Sequence, residues 1–143
     1  MNIYVIGIGL IGGSMVLDIR TLHPEAKIYG SDHNEGHLAE AIALGVVDAG
    51  ATFEDLKNAD FVIVSVPVDV ALTVLPKVLD VIGDTTIVFE VGSTKTPICE
   101  AVANHPRRRN FGFRMQRFNV QYHGTTYQSY SYYVYIHFLF FCS

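Results

Sequence analysis

Three glycines near the start of the chain, Gly7, Gly9 and Gly12, have the spacing of a phosphate-binding turn. They follow an apolar run and open a stretch with a helical pattern, which is the context in which this motif holds a dinucleotide. The first glycine permits a tight turn, the second lets a pyrophosphate reach the backbone, and the third allows close helix–strand packing. N–H groups at a helix start favour phosphate, so the predicted binding segment includes Leu10 and Ile11. The alternative is a glycine-rich turn that binds no ligand.

Asp32 lies twenty residues after Gly12, at the end of a second apolar segment. A carboxylate at this point accepts hydrogen bonds from both ribose hydroxyls of NAD and repels the extra phosphate of NADP. No arginine is close in sequence, although the polar neighbours His33 and Asn34 are compatible with a phosphate. We therefore predict NAD as the cofactor. An ordinary surface aspartate in a turn is the alternative.

The turn after the next long apolar segment contains Ser65, Val66 and Pro67. Proline lacks an N–H group and ends the hydrogen-bond ladder of a strand. In a parallel sheet this turn lies at the edge where ligands bind, so we predict that it contacts the adenosine or the nicotinamide ribose. A simple strand terminator is an equally good interpretation of this segment alone.

A fourth candidate segment runs from Gly92 through Ser93 to Lys95, after another apolar run. Glycine at position 92 permits an unusual backbone turn. The Ser93 hydroxyl is a candidate to bond a substrate at this edge, whereas capping of the following helix is the structural alternative. Lys95 stands in the first turn of that helix, where a positive charge opposes the helix dipole. Both an anion-binding role and a solvated side chain stay open for Lys95.

These candidate residues need a scaffold in which strands alternate with helices. The spacing of apolar residues and the local composition predict strands at residues 2–6, 26–30, 59–66 and 85–91. Helices are predicted at residues 9–20, 37–44, 70–79 and 94–103, with a single helical turn at 53–58. The alternation indicates an α/β fold with a doubly wound parallel sheet, a Rossmann-type dinucleotide-binding domain. Right-handed crossovers then bring the carboxyl ends of the strands to one edge.

Length and composition exclude several classes of protein. The 143 residues suffice for one domain, and half of them are hydrophobic, as in globular chains. No apolar run reaches the roughly 18 residues that a membrane span needs, and the first residues do not have the pattern of a secretory signal. The two cysteines, Cys99 and Cys142, predict no disulfide framework. We therefore expect a cytoplasmic protein without a membrane partner, and we predict no metal site.

The composition changes abruptly after Glu100. All fourteen acidic residues lie at or before Glu100. Beyond it only arginines carry charge, and most of the tyrosines and phenylalanines of the chain also lie there. We therefore divide the chain into a dinucleotide-binding domain, residues 1–111, and an atypical tail, residues 112–143, in the place of the last strands. A reading-frame error would produce such a change, and an unusual genuine tail is the alternative. Arginines beside aromatics occur in nucleic-acid contacts, but the acidic remainder of the chain argues against that partner.

Three segments together resemble prephenate dehydrogenase. They are the glycine turn at residues 7–14, the strand and proline at 59–67, and Val-Gly-Ser-Thr-Lys at 91–95, and the similarity covers about residues 1–111. The resemblance implies NAD-dependent oxidative decarboxylation of prephenate to 4-hydroxyphenylpyruvate, in tyrosine biosynthesis. It also implies that Ser93 bonds the substrate hydroxyl, that a histidine takes the proton of that hydroxyl, and that the enzyme is a homodimer.

The chain departs from this family at the catalytic histidine. The family's His-Pro motif is expected near residues 113–117, where the chain has Phe-Arg-Met-Gln-Arg. His105 precedes a proline but stands at the end of the last predicted helix, so we interpret it as a polar helix stop, and His123 has no proline after it. The helical domain that closes the site and forms the dimer in this family is expected to begin only near residue 143.

The sequence therefore supports one leading function and two alternatives. The leading interpretation is the cofactor domain of an NAD-dependent prephenate dehydrogenase whose activity is impaired. An NAD-binding module without catalysis is the first alternative, and the missing histidine favours it. The second is another dehydrogenase of the β-hydroxyacid type, which would need a catalytic lysine on a later helix.

Overall fold

The computed structural model describes residues 1–94 and 96–112, in which strands alternate with helices. The strands are β1 (Asn2–Ile6), β2 (Lys27–Ser31), β3 (Ala49–Gly50), β4 (Phe61–Val64) and β5 (Ile87–Glu90). The helices are α1 (Leu10–Leu22), α2 (Glu35–Ala43), α3 (Val68–Val81) and α4 (Thr96–Ala101). Two 3₁₀ turns, Phe53–Asn58 and Arg108–Asn110, stand before β4 and after α4.

The five strands form one parallel sheet in the order β3-β2-β1-β4-β5, which confirms the predicted fold class. In the register of the sheet, Ile6 is paired with both Ser31 and Val64, and Val64 is paired with Glu90. The last residues of β1, β2, β4 and β5 therefore form one row across the sheet. The loops that follow these four strands leave the sheet at the same level, so the residues predicted from the sequence share one edge.

Alternate residues of the strands face two separate hydrophobic layers. Ile3 and Val5 of β1 belong to the layer that contains Val16 of α1. Tyr4 of the same strand belongs to the opposite layer, which contains Leu75 of α3. Because helices cover both faces, the central strands are apolar on both sides, as expected for a parallel sheet.

The predicted helices and strands are present, and the differences lie at their ends. The strand β4 is shorter than predicted because its flanks have other partners. Ala59 ends the preceding 3₁₀ turn by donating its N–H to the Leu56 carbonyl, and Pro67 is the N-cap of α3. The sequence did not predict β3, since two residues with one glycine have no apolar pattern to detect.

Beyond β5 the sheet begins to extend. Phe111 forms a parallel bridge with Val88, and the Gly112 N–H donates to the Val88 carbonyl at 3.1 Å. The chain therefore runs alongside β5 toward the edge at which the other strands end. Residues 113–143, which hold most of the predicted tail and His123, lie outside the described residues.

Two general properties follow from the described part of the chain. Within residues 1–94 and 96–112, the helices are too short or too polar to cross a membrane. The same residues contain no group of three or more histidine, cysteine, aspartate or glutamate side chains that could hold a metal ion.

Candidate functional site

The turn after β1 is built around Gly7. The Gly7 N–H donates to the Ser31 carbonyl at the end of β2 at 2.8 Å. On the other side of β1, the Ser65 N–H after β4 donates to the Ile6 carbonyl at 2.7 Å. The φ angle of Gly7 is +89°, and a Cβ on this residue would overlap the Ser65 carbonyl oxygen. Only glycine satisfies both conditions, so this position closes the tight turn that the motif predicts.

Gly12 brings α1 close to the turn after β1. It is buried, and a Cβ on it would overlap the carbonyl oxygen of Gly7 and lie 3.2 Å from the Ser65 side chain. Close packing of α1 against the strand ends therefore requires the third glycine of the motif. This is the role that the motif predicts for it.

Gly9 differs from its two partners in the motif. A Cβ on Gly9 would have no protein atom within 4 Å among the described residues, and its φ angle is an ordinary −76°. The described fold thus gives no packing or backbone reason for a glycine at this position. An open backbone is what a ligand that approaches closely requires.

The helix α1 begins directly after Gly9, and its first turn faces open space. No described side chain caps the helix, and its first turn carries no acidic residue. Leu10 and Ile11 are large apolar residues with 93% and 62% of their surface exposed. The start of α1 therefore offers backbone N–H groups and an apolar surface to a ligand.

Asp32 follows β2 and lies under the turn of β1. Its Oδ2 accepts a hydrogen bond from the Ile8 N–H at 2.8 Å, and its Oδ1 accepts one from the Asn34 N–H at 2.9 Å. Burial tends to raise the pKa of Asp32, but the N–H groups of Asn34 and Ile8, with His33 and His37 nearby, lower it overall. The side chain is only 5% exposed and is ionised at neutral pH. Each oxygen keeps a further lone pair for a ligand hydroxyl.

An open cleft of about 580 Å³ lies between the turns that follow β1, β4 and β5. Its lining brings together seven of the ten site residues predicted from the sequence: Gly9, Leu10, Ile11, Ser65, Val66, Pro67 and Ser93. Of the other three, Gly7 and Gly12 support the turn from below, and Asp32 lies one strand further along the row. The predicted residues therefore lie at one edge of the sheet, and seven of them share the lining of the cleft.

Three further residues, Val68, Val91 and Gly92, line the same cleft. The two valines were missed by the sequence analysis, because apolar residues next to a strand end are equally typical of the core. Among the lining residues that the structure describes there is no histidine, lysine or carboxylate. The cleft is a candidate ligand site, and Ser65 and Ser93 supply the hydroxyl groups of its lining.

The segment that carries Ser93 is held by a buried acid. Glu90 is fully buried at the end of β5, and its Oε1 accepts a hydrogen bond from the Gly92 N–H. Gly92 does not adopt the positive φ angle that glycine permits; among the described glycines, positive φ angles occur at Gly7 and Gly45. A Cβ on Gly92 would meet the end of the Glu90 side chain, so a larger residue there would displace this carboxyl group. Glu90 was also missed as a residue of the site.

His105 lies away from this cleft. Its Nε2 is 3.0 Å from Asp80 Oδ1, and its Nδ1 accepts the Arg107 N–H at 3.0 Å. Arg107 donates to the carbonyl oxygens of Leu79 and Asp80 in the last turn of α3. Since α3 starts at the edge with the cleft and ends at the opposite edge, His105 and Ser93 are on opposite edges of the sheet. His105 therefore acts in the structure as a polar helix stop.

Two sequence-predicted features are not described by the structure. The side chain of Lys95 and the segment at residues 113–117, where the family's His-Pro motif is expected, lie outside the described residues. The direction of the chain at Phe111 and Gly112, parallel to β5, points toward the edge that carries the cleft.

The glycine turn, the row of strand ends and the cleft define a nucleotide-binding domain with a Rossmann-like fold. Residues 15–111 match the sequence model of the family described as "Prephenate dehydrogenase, nucleotide-binding domain". The chain belongs to this family.

Two curated relatives are prephenate dehydrogenases, from Lactococcus lactis subsp. cremoris (strain MG1363) and Bacillus subtilis (strain 168). The chain is 37% identical to the first over 103 residues and 35% identical to the second over 102 residues. Each alignment covers 69% of this chain and 28% of the relative. The chain therefore spans little more than a quarter of the length of these relatives.

Solved structures show the same relationship. Prephenate dehydrogenase from A. aeolicus, in complex with hydroxyphenyl propionate and NAD⁺, has a TM-score of 0.67 and 28% identity, covering 73% of this chain and 37% of that chain. Arogenate dehydrogenase from Synechocystis has a TM-score of 0.63 and 27% identity, and the match covers 71% of this chain and 37% of that chain. A 3-hydroxybutyryl-CoA dehydrogenase from Ralstonia eutropha, at 16% identity with a TM-score of 0.65, shares the fold alone.

Proposed function

We propose that this chain binds NAD(H) as the cofactor-binding part of a prephenate dehydrogenase. The observation that carries the proposal is the contrast among the glycines of the turn. Gly7 and Gly12 are required by the fold, whereas Gly9 faces open space beside the uncapped start of α1. The described residues leave this space to a ligand, and phosphate is the group that helix N–H donors favour.

The pyrophosphate of the cofactor would lie on the N–H groups at the start of α1. The adenosine ribose would then extend toward Asp32, whose buried carboxylate keeps lone pairs for two hydroxyl groups. In the other direction lies the turn of Ser65, Val66 and Pro67, which lines the cleft and would contact the nicotinamide ribose. The strand ends of β2 and β5 are three strand spacings apart, about 14 Å, so the edge has room for an extended ligand.

The reaction that we propose for the whole enzyme is oxidative decarboxylation of prephenate to 4-hydroxyphenylpyruvate. NAD, when bound, supplies the acceptor for the hydride that leaves the hydroxyl-bearing ring carbon. Ser93 lines the cleft beside Val91 and Gly92, and its hydroxyl would bond the substrate hydroxyl. Buried Glu90 would keep this segment in place through its bond to the Gly92 N–H. A base must also reach the proton of the substrate hydroxyl, and the described lining of the cleft contains no such group.

This last observation favours a second candidate function, an NAD-binding module without catalysis of its own. The two candidates share the cofactor site and differ in turnover. A homodimer and a cytoplasmic location, both expected from the sequence, stay predictions.

The test is a fluorescence titration of NADH into the wild type and two valine variants. Gly9→Val places a side chain where the pyrophosphate would approach, and we expect saturable binding to be lost. Gly13→Val is the matched control, since a Cβ on Gly13 also has no atom within 4 Å and Gly13 does not line the cleft. Gly13 lies inside α1, where valine is about as favourable as glycine, whereas Gly9 is the N-cap, where valine is less favourable. Thermal unfolding of both variants is therefore measured, and binding is compared at a temperature at which both are folded. Equal NADH binding by wild type and Gly9→Val would overturn the proposal.

A further inference from the structure

Two histidines flank the carboxylate of Asp32. The Oδ1 atom of Asp32 is 3.3 Å from His33 Nδ1 and 3.9 Å from His37 Nδ1. The Asp32 side chain is nearly buried, whereas 95% of the His33 side chain and 57% of the His37 side chain are exposed. An enclosed carboxylate therefore has two imidazole rings on its solvent side.

The other residues around Asp32 contribute little further charge. The glycine turn packed against Asp32 has no titratable side chain between residues 7 and 17. On α2 the first turn carries Glu35, an exposed residue of opposite charge. The N-cap residue Asn34 is uncharged, and its Oδ1 accepts the N–H groups of Gly36 and His37.

Protonation of the two rings would change what this end of the site attracts. With neutral histidines, the Asp32 carboxylate dominates and repels the 2′-phosphate of NADP. With protonated histidines, two positive charges lie within 4 Å of one carboxylate oxygen and can contact a phosphate. The same protonated rings compete with the ribose of NAD for Oδ1. Both effects move the preference toward NADP.

We propose that His33 and His37 make the cofactor preference of this site depend on pH, with neutral rings favouring NAD and protonated rings admitting NADP. The inference rests on the proposed function, because it places a dinucleotide ribose at Asp32. It assigns to the two histidines a role in the choice between NAD and NADP, separate from the roles of the glycine turn and Asp32.

The experiment is calorimetric titration of NAD⁺ and NADP⁺ into the full chain at about pH 8 and about pH 5.5, on either side of the ordinary histidine range. Oxidised cofactors are used because the reduced forms decompose in acid. We expect the ratio of NADP⁺ to NAD⁺ affinity to rise about fivefold on acidification, the effect of two exposed charge contacts. In a His33→Gln, His37→Gln double variant this rise should shrink to less than about twofold.

Two controls make the result specific. The 2′-phosphate of NADP⁺ itself titrates at about pH 6, and this effect is common to wild type and double variant, so their difference isolates the histidines. His23→Gln removes a histidine after α1, away from the cleft, and should behave as the wild type does. The same rise in ratio in wild type and double variant would overturn the inference while leaving NAD⁺ binding intact. No saturable NAD⁺ binding at about pH 8 would overturn the proposed function, and this inference with it.

Discussion

At the scale of single residues, the chain separates glycines that serve the fold from a glycine that is open to a ligand. Gly7 and Gly12 each stand where a Cβ would overlap backbone, whereas Gly9 has free space around it. The motif predicts these different roles, and the fold shows the packing that accompanies each of them. The sequence also placed Asp32 at a strand end, but its bonds to the N–H groups of Ile8 and Asn34 depend on how β1 and β2 align.

Asp32 should set the preference for NAD at neutral and higher pH. We expect wild type to favour NAD⁺ over NADP⁺ by roughly 1–3 kcal/mol, because one charged hydrogen bond is lost and a repulsion is gained with NADP⁺. Asp32→Ser should narrow this difference, as measured by titration of both cofactors at about pH 8. Asp32→Asn is the conservative control, which keeps an oxygen acceptor for the Ile8 N–H. A wild-type preference for NADP⁺ at this pH would contradict the role of Asp32.

The histidines beside Asp32 illustrate a limit of sequence reasoning. His33 stands next to Asp32 in the chain and was visible as a polar neighbour. His37 is five residues away, and it reaches the same carboxylate only because α2 begins after Asn34 and turns the ring back. Contacts made across a helix turn are not evident from spacing unless the start of the helix is known.

At the scale of elements, the strands were predictable because apolar, β-branched runs are required wherever both faces of a parallel sheet are covered. The short strand β3 and the exact ends of β4 were not, since neighbouring turns and helices determine them. Glu90 also belongs to this scale. The sequence placed Glu90 within the predicted strand at residues 85–91, but its burial and its contact with the Gly92 N–H were evident only from the fold.

The segment after α4 should stabilise the edge opposite the cleft through Asn110. This residue is 7% exposed, and its Nδ2 donates to the carbonyl oxygens of Asp84 and Thr86 at 2.8 and 2.9 Å. Asn110→Asp replaces the donor with a carboxylate facing these oxygens, and we expect the free energy of unfolding to fall by about 3 kcal/mol. Urea denaturation measures this change. Asn104→Asp, on an exposed residue nearby, is the control, and equal midpoints for both variants would contradict the prediction.

At the scale of the whole molecule, the described residues contain a candidate cofactor site and a candidate substrate serine on one edge, with His105 on the other. The chain covers 28% of the length of its curated relatives. Residues 113–117, at which the resemblance predicts the catalytic histidine, contain none. The absence of this histidine was visible in the sequence. That His105 lies away from the cleft was evident only from the fold.

We therefore predict little or no turnover of prephenate by this chain. General-base catalysis typically contributes about 10²–10⁴-fold, so a site without the base should be slower by at least this factor. The assay follows NADH formation from prephenate at 340 nm, with the relative from Bacillus subtilis measured in parallel. Robust turnover that disappears in His105→Asn would show that the base had been misplaced. The coding DNA around residues 110–118 should contain a His-Pro motif in another frame if a reading-frame error produced the tail.

The position of the bound cofactor tests the central claim most directly. Titration of NAD⁺ into ¹⁵N-labelled protein, followed by amide NMR spectra, reports which backbone groups the ligand reaches. We predict that the largest shifts occur at Gly9, Leu10 and Ser65, which line the cleft, while Asp84 and Thr86 at the opposite edge stay unchanged. Shifts concentrated at Asp84 and Thr86, or an unchanged spectrum at saturating NAD⁺, would contradict the proposed cofactor site.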